Sequence, residues 1–295
     1  MHSDSITENT ASQAVLEAIN PLLTSSDDKI TQCTRMSGGS ICQAFKVETG
    51  LGQTFFVKTL GNASENFFIR EAEGLHTLSQ SNQVKTPPVL VANTAVLIMT
   101  YVETSTPNKT FWKRAGEQLA NLHKSPQSYF GFEHDNFCGS TPQPNSITDN
   151  AFDFFRQSRL LHQVSLTNSQ RLLSPADRRK IDQLCYKLVD LIPDEAPSLL
   201  HGDLWSGNLI CDHDDQPWFI DPATYYSWRE IDIAMTTLFG GFGPGFYEAY
   251  HYHYPLEPGW KERMEIYNLY PLLNHLNLFG SQYLAPIRST LNRFV

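Results

Sequence analysis

The sequence predicts an α+β fold with two lobes: an N-terminal lobe that combines an antiparallel sheet with a helix, and a larger, mainly helical C-terminal lobe. Runs of alternating apolar and polar residues at 44–48 and 53–58, and an apolar run at 95–102, are typical of strands. A polar linker follows them, and helical spacing of apolar residues dominates the rest of the chain. We therefore expect lobes at residues 1–103 and 104–295.

The N-terminal lobe is predicted to contain two helices around a hairpin. Apolar residues recur at helical spacing over 15–23, which predicts a short amphipathic helix before the first strands. A turn with glycines at 50 and 52 joins the two alternating runs, as in a β-hairpin. A second helix is expected at 66–79, and the two prolines at 87–88 end it and begin an extended segment.

The C-terminal lobe is predicted to consist mostly of helices, at 111–123, 150–164, 175–191, 231–238, 244–252 and 261–278. They are interrupted once, by two short strands at 208–211 and 218–221. The charged segment between these strands is expected to be a turn. The loop at 129–147 is long, rich in Gly, Pro, Asn and Ser, and could cover a site.

Composition excludes several classes of protein. The net charge of -9 leaves no basic field to neutralise a phosphate backbone, which argues against nucleic acid as a partner. The five cysteines are scattered and show no CxxC spacing, which indicates reduced thiols. The polar start, Met1 to Gln13, lacks the features of a signal peptide, and no segment has the length of a membrane span. We expect a soluble cytoplasmic protein without a membrane partner.

The strongest chemical signal is the stretch His201–Asn208, HGDLWSGN, together with a later acid. Asp203 precedes Asn208 by five residues, and Asp221 follows thirteen residues after Asn208 at the end of an apolar strand. A hairpin between Asn208 and Asp221 would bring their side-chain oxygens together, and oxygen ligands suit Mg²⁺. Asp203 is then free to act as the base for a substrate hydroxyl. Each residue alone could simply fill a turn or cap, but the combined spacing is that of a protein-kinase-like fold that binds ATP and Mg²⁺.

A lysine and a glutamate in the N-terminal lobe support this interpretation. Lys58 ends a predicted strand, and Glu71 lies thirteen residues later on the following helix. This is the arrangement of the ion pair that holds nucleotide phosphates in kinases. Glu73 is the competing carboxylate, but two residues along a helix it would face away from the side that Glu71 presents.

Two further segments are predicted to contact the nucleotide by their position in the chain. Gly38, Gly39 and Ser40 could let backbone N–H groups approach phosphates, although a simple hairpin turn is the alternative. The segment after the strand at 96–99 occupies the place of a kinase hinge, where backbone groups would bind adenine; a plain connector is the alternative. The predicted hinge residues are Met99, Thr100, Tyr101 and Val102.

The sequence resembles the fructosamine kinase family, within the wider group of aminoglycoside phosphotransferases and choline kinases, over nearly its whole length. The resemblance rests on His201–Asn208, Asp221–Ala223 with Tyr225, Arg229–Glu230 with Asp232–Met235, Thr141–Asn145, and Tyr267–His275 with Leu278–Gly280. It implies transfer of the ATP γ-phosphate to a sugar hydroxyl of a ketosamine, such as a fructosamine or ribulosamine, free or on a protein lysine. Phosphorylation destabilises the adduct, so the resemblance also implies a role in deglycation.

The resemblance also implies residue roles. Asp203 takes the position of the base, Asn208 and Asp221 those of the metal ligands, and Lys58 and Glu71 those of the phosphate-anchoring pair. Four further residues are expected near the acceptor, with packing in the lobe core as the alternative; they are Trp205, Tyr225, Trp228 and Glu230.

Other interpretations of the sequence stay open. The chain could phosphorylate another small hydroxyl compound, such as an aminoglycoside or choline, or be a catalytically silent nucleotide-binding protein. The catalytic stretch lacks the arginine of the protein-kinase HRD motif and no APE-type segment follows, so activation by loop phosphorylation is not expected. Ser40 stands where relatives carry a cysteine, with Cys42 two residues on, which leaves thiol-based regulation open. The oligomeric state is not predicted.

Overall fold

The computed structural model describes residues 13–25, 27–36, 41–61, 64–125 and 127–295. The predicted phosphate-contacting glycine segment, with Gly38, Gly39 and Ser40, lies outside these residues. Within the described ranges, no helix combines the length and apolar character that a membrane span requires.

The N-terminal part is an antiparallel sheet. Its strands are β1 (Ile30–Met36), β2 (Gln43–Thr49), β3 (Thr54–Thr59), β4 (Val89–Ala92) and β5 (Val96–Thr100). Among the described residues they form one five-stranded sheet in the order β1-β2-β3-β5-β4. The first strand was not predicted, because it is an edge strand whose side chains do not alternate between buried and exposed.

Period-two alternation along the sheet decides which side chains face which helix. Val96 and Ile98 of β5 pack with α1 (Gln13–Ile19) on one face, whereas Leu97 and Met99 pack with α2 (Phe67–Gln80) on the other. Lys58 follows Val57 in β3, and Val57 belongs to the α1 face. Lys58 therefore points to the opposite face, toward α2 and the interior of the molecule.

The C-terminal part is mainly helical, as predicted. Its α-helices are α3 (Lys109–His123), α4 (Ala151–Phe154), α5 (His162–Ser165), α6 (Thr167–Leu172), α7 (Pro175–Leu191), α8 (Glu230–Leu238), α9 (Pro244–His253), α10 (Trp260–Tyr267), α11 (Leu269–Phe279) and α12 (Leu284–Phe294). Side chains cap the starts of two of these helices: Asn108 accepts from Thr110 N–H at the start of α3, and Ser174 and Asp177 form a capping box at the start of α7.

Short paired strands connect these helices, and one pair directly follows the HGDLWSGN stretch. β6 (Asn136–Cys138) pairs with β7 (Thr141–Gln143), β8 (Ser198–Leu200) with β11 (Tyr225–Ser227), and β9 (Leu209–Cys211) with β10 (Pro217–Phe219). The β9–β10 hairpin is the predicted one, with the charged segment as its turn. The loop at 129–147 is not structureless, since it contains the β6–β7 hairpin.

Two predicted helices were wrong in detail. The helix expected at 261–278 is broken at Asn268 into α10 and α11, because Pro271 has no N–H to donate to the Tyr267 carbonyl one turn earlier. The helix expected at 150–164 contains a π-helical segment at Phe155–Leu161, and the fully buried Arg159 lies within it. The prediction of an α+β fold with an N-terminal antiparallel sheet and a helical C-terminal part is confirmed.

Candidate active site

A cavity of about 610 Å³ lies between the sheet and the helical part of the chain. Its N-terminal walls come from β2, β3, β5 and α2, and its C-terminal walls from the HGDLWSGN stretch, the segment around Asp221, the β6–β7 hairpin and α11. The cavity therefore gathers residues from distant parts of the chain, from Met36 to Tyr283.

Close packing and hydrogen bonds with the segment at 220–223 fix the backbone that presents Asp203. Gly202 has φ +85, and a Cβ there would lie 2.1 Å from the Ala223 carbonyl oxygen, so only glycine fits. The buried His201 ring donates from Nε2 to the Ile220 carbonyl at 2.9 Å and accepts the Asp203 N–H at Nδ1. Burial lowers the pKa of His201, which keeps the ring neutral in this bridging role. The ring braces Asp203 rather than entering the cavity.

Asp232 on α8 is a site residue to which the sequence reasoning gave no role. Its carboxylate is fully buried and accepts the N–H groups of His201 and Gly202 at 2.7 and 2.9 Å. It also contacts Nε2 of the buried His123 at 3.2 Å. The available signal was a first helical turn in which the acidic residues Glu230 and Asp232 stand among apolar ones, since a buried carboxylate requires hydrogen-bonding partners.

Asp203 lines the cavity with its side chain partly buried. Burial and the nearby Asp221 carboxylate raise the pKa of Asp203 to about 7. Asn208 Nδ2 donates to the Asp203 carbonyl at 2.8 Å and to its Oδ2 at 3.2 Å, which fixes the carboxylate. A positioned carboxylate with a pKa near neutrality is suited to accept a proton from a hydroxyl group.

Lys58 joins two carboxylates from different parts of the chain. Its Nζ lies 2.6 Å from Glu71 Oε1 and also contacts Asp221 Oδ1. Burial opposes the charge on Lys58, but the Asp221 and Glu71 carboxylates outweigh it and raise its pKa above the usual value. Glu73 turns away, as its spacing predicts, and pairs with Arg70 at 2.9 Å and with His134 at 2.7 Å. The structure thus brings Lys58 to Glu71 and not to Glu73.

Asn208 and Asp221 present oxygens that suit a divalent cation. Asn208 uses Nδ2 for its hydrogen bonds, and its Oδ1 accepts none from the described residues. Asp221 contacts Lys58 through Oδ1 only, which leaves Oδ2 without a partner among the same residues. One amide and one carboxylate oxygen, with room for phosphate oxygens and water, fit Mg²⁺.

The predicted hinge residues all line the cavity. They are Met99, Thr100, Tyr101 and Val102. The N–H groups of Thr100 and Tyr101 are used within the sheet, where they donate to Pro88 and Thr54 carbonyls at 3.0 and 3.2 Å. The N–H of Val102 has no acceptor within the described part of the chain, so it can donate to a ligand in the cavity.

Of the four residues expected near the acceptor, only Trp205 lines the cavity. Its indole lies against the backbone of Gly207, where a Cβ would come 2.2 Å from the ring. Tyr225, Trp228 and Glu230 are 0%, 1% and 1% exposed and lie in the core below the catalytic segment. Their side chains cannot reach an acceptor in the cavity, and the structure supports the alternative role in packing.

Each of these three buried side chains has a partner that explains its position. Glu230 accepts two hydrogen bonds from Arg263, at 2.6 and 2.8 Å. The Arg159 guanidinium lies 3.8 Å from the centroid of the Tyr225 ring. Trp228 belongs to the main apolar core. The structure therefore does not bring these three side chains to the cavity, because strand β11 and the start of α8 direct them inward.

An aromatic wall extends the cavity beyond Trp205. It consists of Phe239, His275, Phe279 and Tyr283. The Trp205 and Phe239 rings are 6.2 Å apart, and the His275 ring lies 5.3, 5.4 and 5.1 Å from those of Phe239, Phe279 and Tyr283. Burial lowers the pKa of His275 to about 4, so the wall is uncharged at neutral pH. Phe239 and Phe279 remain 47% and 41% exposed, which is unusual for large apolar side chains.

Comparison with known proteins places this geometry in one family. The family model described as fructosamine kinase matches residues 12–295. A Vibrio parahaemolyticus protein with the name "probable ketoamine kinase" is 40% identical over 275 residues, which cover 90% of this chain and 93% of that protein. The protein-ribulosamine 3-kinase of Oryza sativa, described as chloroplastic, is 36% identical over 278 residues, which cover 90% of this chain and 80% of that protein.

A solved structure extends the comparison to three dimensions. A Thermobifida fusca protein whose name assigns it to fructosamine-3-kinase superposes with a TM-score of 0.83 and 30% identity, over 90% of this chain and 93% of that one. The match of the family model over nearly the full length, with relatives this similar, shows the family. The chain belongs to the fructosamine kinase family and is a phosphotransferase of that family.

Proposed function

We propose that this protein transfers the γ-phosphate of ATP to a sugar hydroxyl of a ketosamine, free or on a protein lysine, and thereby acts in deglycation in the cytoplasm. The observation that carries the proposal is the convergence of Lys58, Asp203, Asn208 and Asp221 on one cavity. The names of the relatives, which specify ketoamine and protein-bound ribulosamine, support the acceptor class.

Different residues of the cavity would bind the nucleotide, hold the metal and accept the proton during phosphoryl transfer. The N–H of Val102 would bind the adenine edge, and Lys58, held by Glu71, would bind the non-transferred phosphates. Asn208 and Asp221 would hold Mg²⁺, which neutralises charge on the phosphates. Asp203 would accept the hydroxyl proton as the acceptor oxygen bonds to the γ-phosphorus and the bond from phosphorus to the ADP oxygen breaks.

The aromatic wall supports an amine-bearing acceptor. The wall adjoins Trp205, which follows the proposed base by two residues, so a group attached close to the reacting hydroxyl would lie against it. The secondary amine of a ketosamine is protonated at neutral pH, and aromatic faces attract such a cation. The neutral state of His275 removes the repulsion that a charged imidazole would add.

The test is a panel of acceptors. ADP release and ³¹P NMR of the product would be measured with ribuloselysine, fructoselysine and a glycated peptide, with choline and an aminoglycoside as comparison acceptors. We expect turnover with at least one ketosamine and little with choline or the aminoglycoside. Turnover confined to the comparison acceptors would refute the acceptor class, and ATP binding without turnover of any acceptor would favour a silent nucleotide-binding protein.

A further inference from the structure

The β6–β7 hairpin contains a sequence motif that has no part in the phosphoryl transfer proposed above. Thr141–Asn145 is one of the segments on which the family resemblance rests, and it contains all of β7. The tip of the hairpin lines the cavity through Phe137, Cys138 and Gly139. The base of the hairpin turns three amide side chains inward, and they are 5%, 1% and 1% exposed; they are Asn136, Gln143 and Asn145.

Two of these amides hold the backbone directly after Asp221. Gln143 Nε2 donates to the Ala223 carbonyl at 3.1 Å, and Asn136 Nδ2 donates to the Thr224 carbonyl at 2.8 Å. Both contacts are buried. The chain segment that leads out of the proposed metal ligand is therefore fixed by side chains from a distant part of the sequence.

The orientation of the two amides is itself determined by their other partners. Gln143 Oε1 accepts the Tyr270 hydroxyl at 2.5 Å, so its NH₂ group must face Ala223 and Asn136. Asn136 Oδ1 accepts from Gln143 and Asn145 at 2.7 and 2.9 Å, which turns its NH₂ group to Thr224. Every amide oxygen in the network is occupied, so flipping either amide would leave buried groups unpaired.

The opposite side of the same segment is fixed by the catalytic segment. The Ala223 N–H donates to the His201 carbonyl at 2.9 Å, and Gly202 leaves just enough room for the Ala223 carbonyl. Between these restraints Asp221 adopts φ +55, a left-handed conformation that is uncommon outside glycine, although Asp tolerates it better than most residues. A conformation of this kind persists only when the surrounding contacts impose it.

We propose that Gln143 and Asn136 are positioning residues that hold Asp221 permanently in its metal-binding orientation. The proposal rests on the proposed function, in which Asp221 binds Mg²⁺. It explains how the site is ready for catalysis without the phosphorylated loop that orders the corresponding segment of many protein kinases. The segment around Asp221 is ordered by the β6–β7 hairpin and needs no modification or partner.

The test compares nucleotide binding with and without Mg²⁺. The affinity for a non-hydrolysable ATP analogue is measured by calorimetry in Mg²⁺ and in EDTA, for wild type, Gln143→Leu and Tyr270→Phe. Tyr270→Phe removes only the hydroxyl that orients Gln143, and it serves if Gln143→Leu does not fold. The matched control is Asn268→Leu, since the buried Asn268 amide donates to the Ala234 carbonyl at 2.9 Å and does not line the cavity.

We expect Gln143→Leu to reduce the enhancement of binding by Mg²⁺ about tenfold, with a smaller reduction in Tyr270→Phe and unchanged affinity in EDTA. Asn268→Leu should lower the melting temperature without changing the enhancement. If Gln143→Leu and Tyr270→Phe both keep the wild-type enhancement by Mg²⁺ but have lower melting temperatures, the hairpin amides have only a structural role and the proposal is overturned. Absence of any enhancement in wild type would instead overturn the assignment of the metal site, and this inference with it.

Discussion

Removing the Lys58 ammonium should destabilise the protein as well as inactivate it. Lys58 is 5% exposed, and it separates the carboxylates of Glu71 and Asp221. In Lys58→Met these two negative charges would face each other without a counter-charge. Breaking a buried ion pair on one side costs about 3–5 kcal/mol, and we take the lower end because the Asp221 side chain is 37% exposed.

With an unfolding entropy of about 2.1 cal/mol/K per residue, a loss of about 3 kcal/mol should lower the melting temperature of this 295-residue chain by about 5 °C. Thermal unfolding followed by circular dichroism measures it. The double variant Lys58→Met/Glu71→Leu removes both buried partners and should recover most of the loss, because an apolar pair can replace a buried ion pair. Both variants should lose nucleotide affinity, since neither retains the phosphate-binding cation.

The matched control for Lys58 is Lys46 on the neighbouring strand. Lys46 also contacts two carboxylates, those of Glu48 and Glu103, each at 3.3 Å, but at the surface. Lys46→Met should leave the melting temperature and nucleotide affinity nearly unchanged. An equal melting temperature for Lys58→Met and wild type would show that the buried pair does not form as described.

Three further predictions concern the residues around the site. Glu230→Gln should lower the melting temperature, because it removes the negative charge beside Arg263, and it should leave KM for the acceptor at the wild-type value. A large rise in KM with an unchanged melting temperature would instead indicate that Glu230 contacts the substrate. Gly202→Ala should prevent stable folding or abolish turnover, because the added Cβ meets the Ala223 carbonyl, and a variant with wild-type melting temperature and turnover would contradict the packing. Burial holds His275 neutral, so its contribution to the free energy of unfolding should be fully present above pH 6.5 and decline as the pH falls toward 4. Urea unfolding should therefore show a free energy of unfolding that depends less on pH between 4 and 6.5 in His275→Gln than in wild type. The same pH dependence in both proteins would refute this prediction.

The parts of the site that the sequence predicts are those that short-range spacing determines. Lys58 and Glu71 follow each other as strand and helix, and the β9–β10 hairpin brings Asn208 back to Asp221, so local structure alone places them. The direction of Lys58 also follows from strand alternation, which is a local property. For the same reason the N-terminal sheet and most helices are recognisable from periodicity.

The parts that the sequence does not predict depend on long-range packing. Glu230 lies close in sequence to Asp221, but the entry into α8 turns it toward Arg263 on α10. His275 received no role of its own from the sequence, and only the packing of α11 beside Trp205 places it in the cavity. The β6–β7 strands are three residues each, too short for alternation to be visible.

The measurement that most directly tests the central claim is phosphorylation of a ketosamine by wild type and by Asp203→Asn. The variant keeps the shape of the side chain and removes its ability to accept a proton. We expect ³¹P NMR to show a phosphorylated ketosamine with wild type, and turnover reduced about 10²- to 10⁴-fold in the variant with nucleotide affinity retained. Wild-type turnover in Asp203→Asn, or no ketosamine phosphate from wild type, would contradict the account.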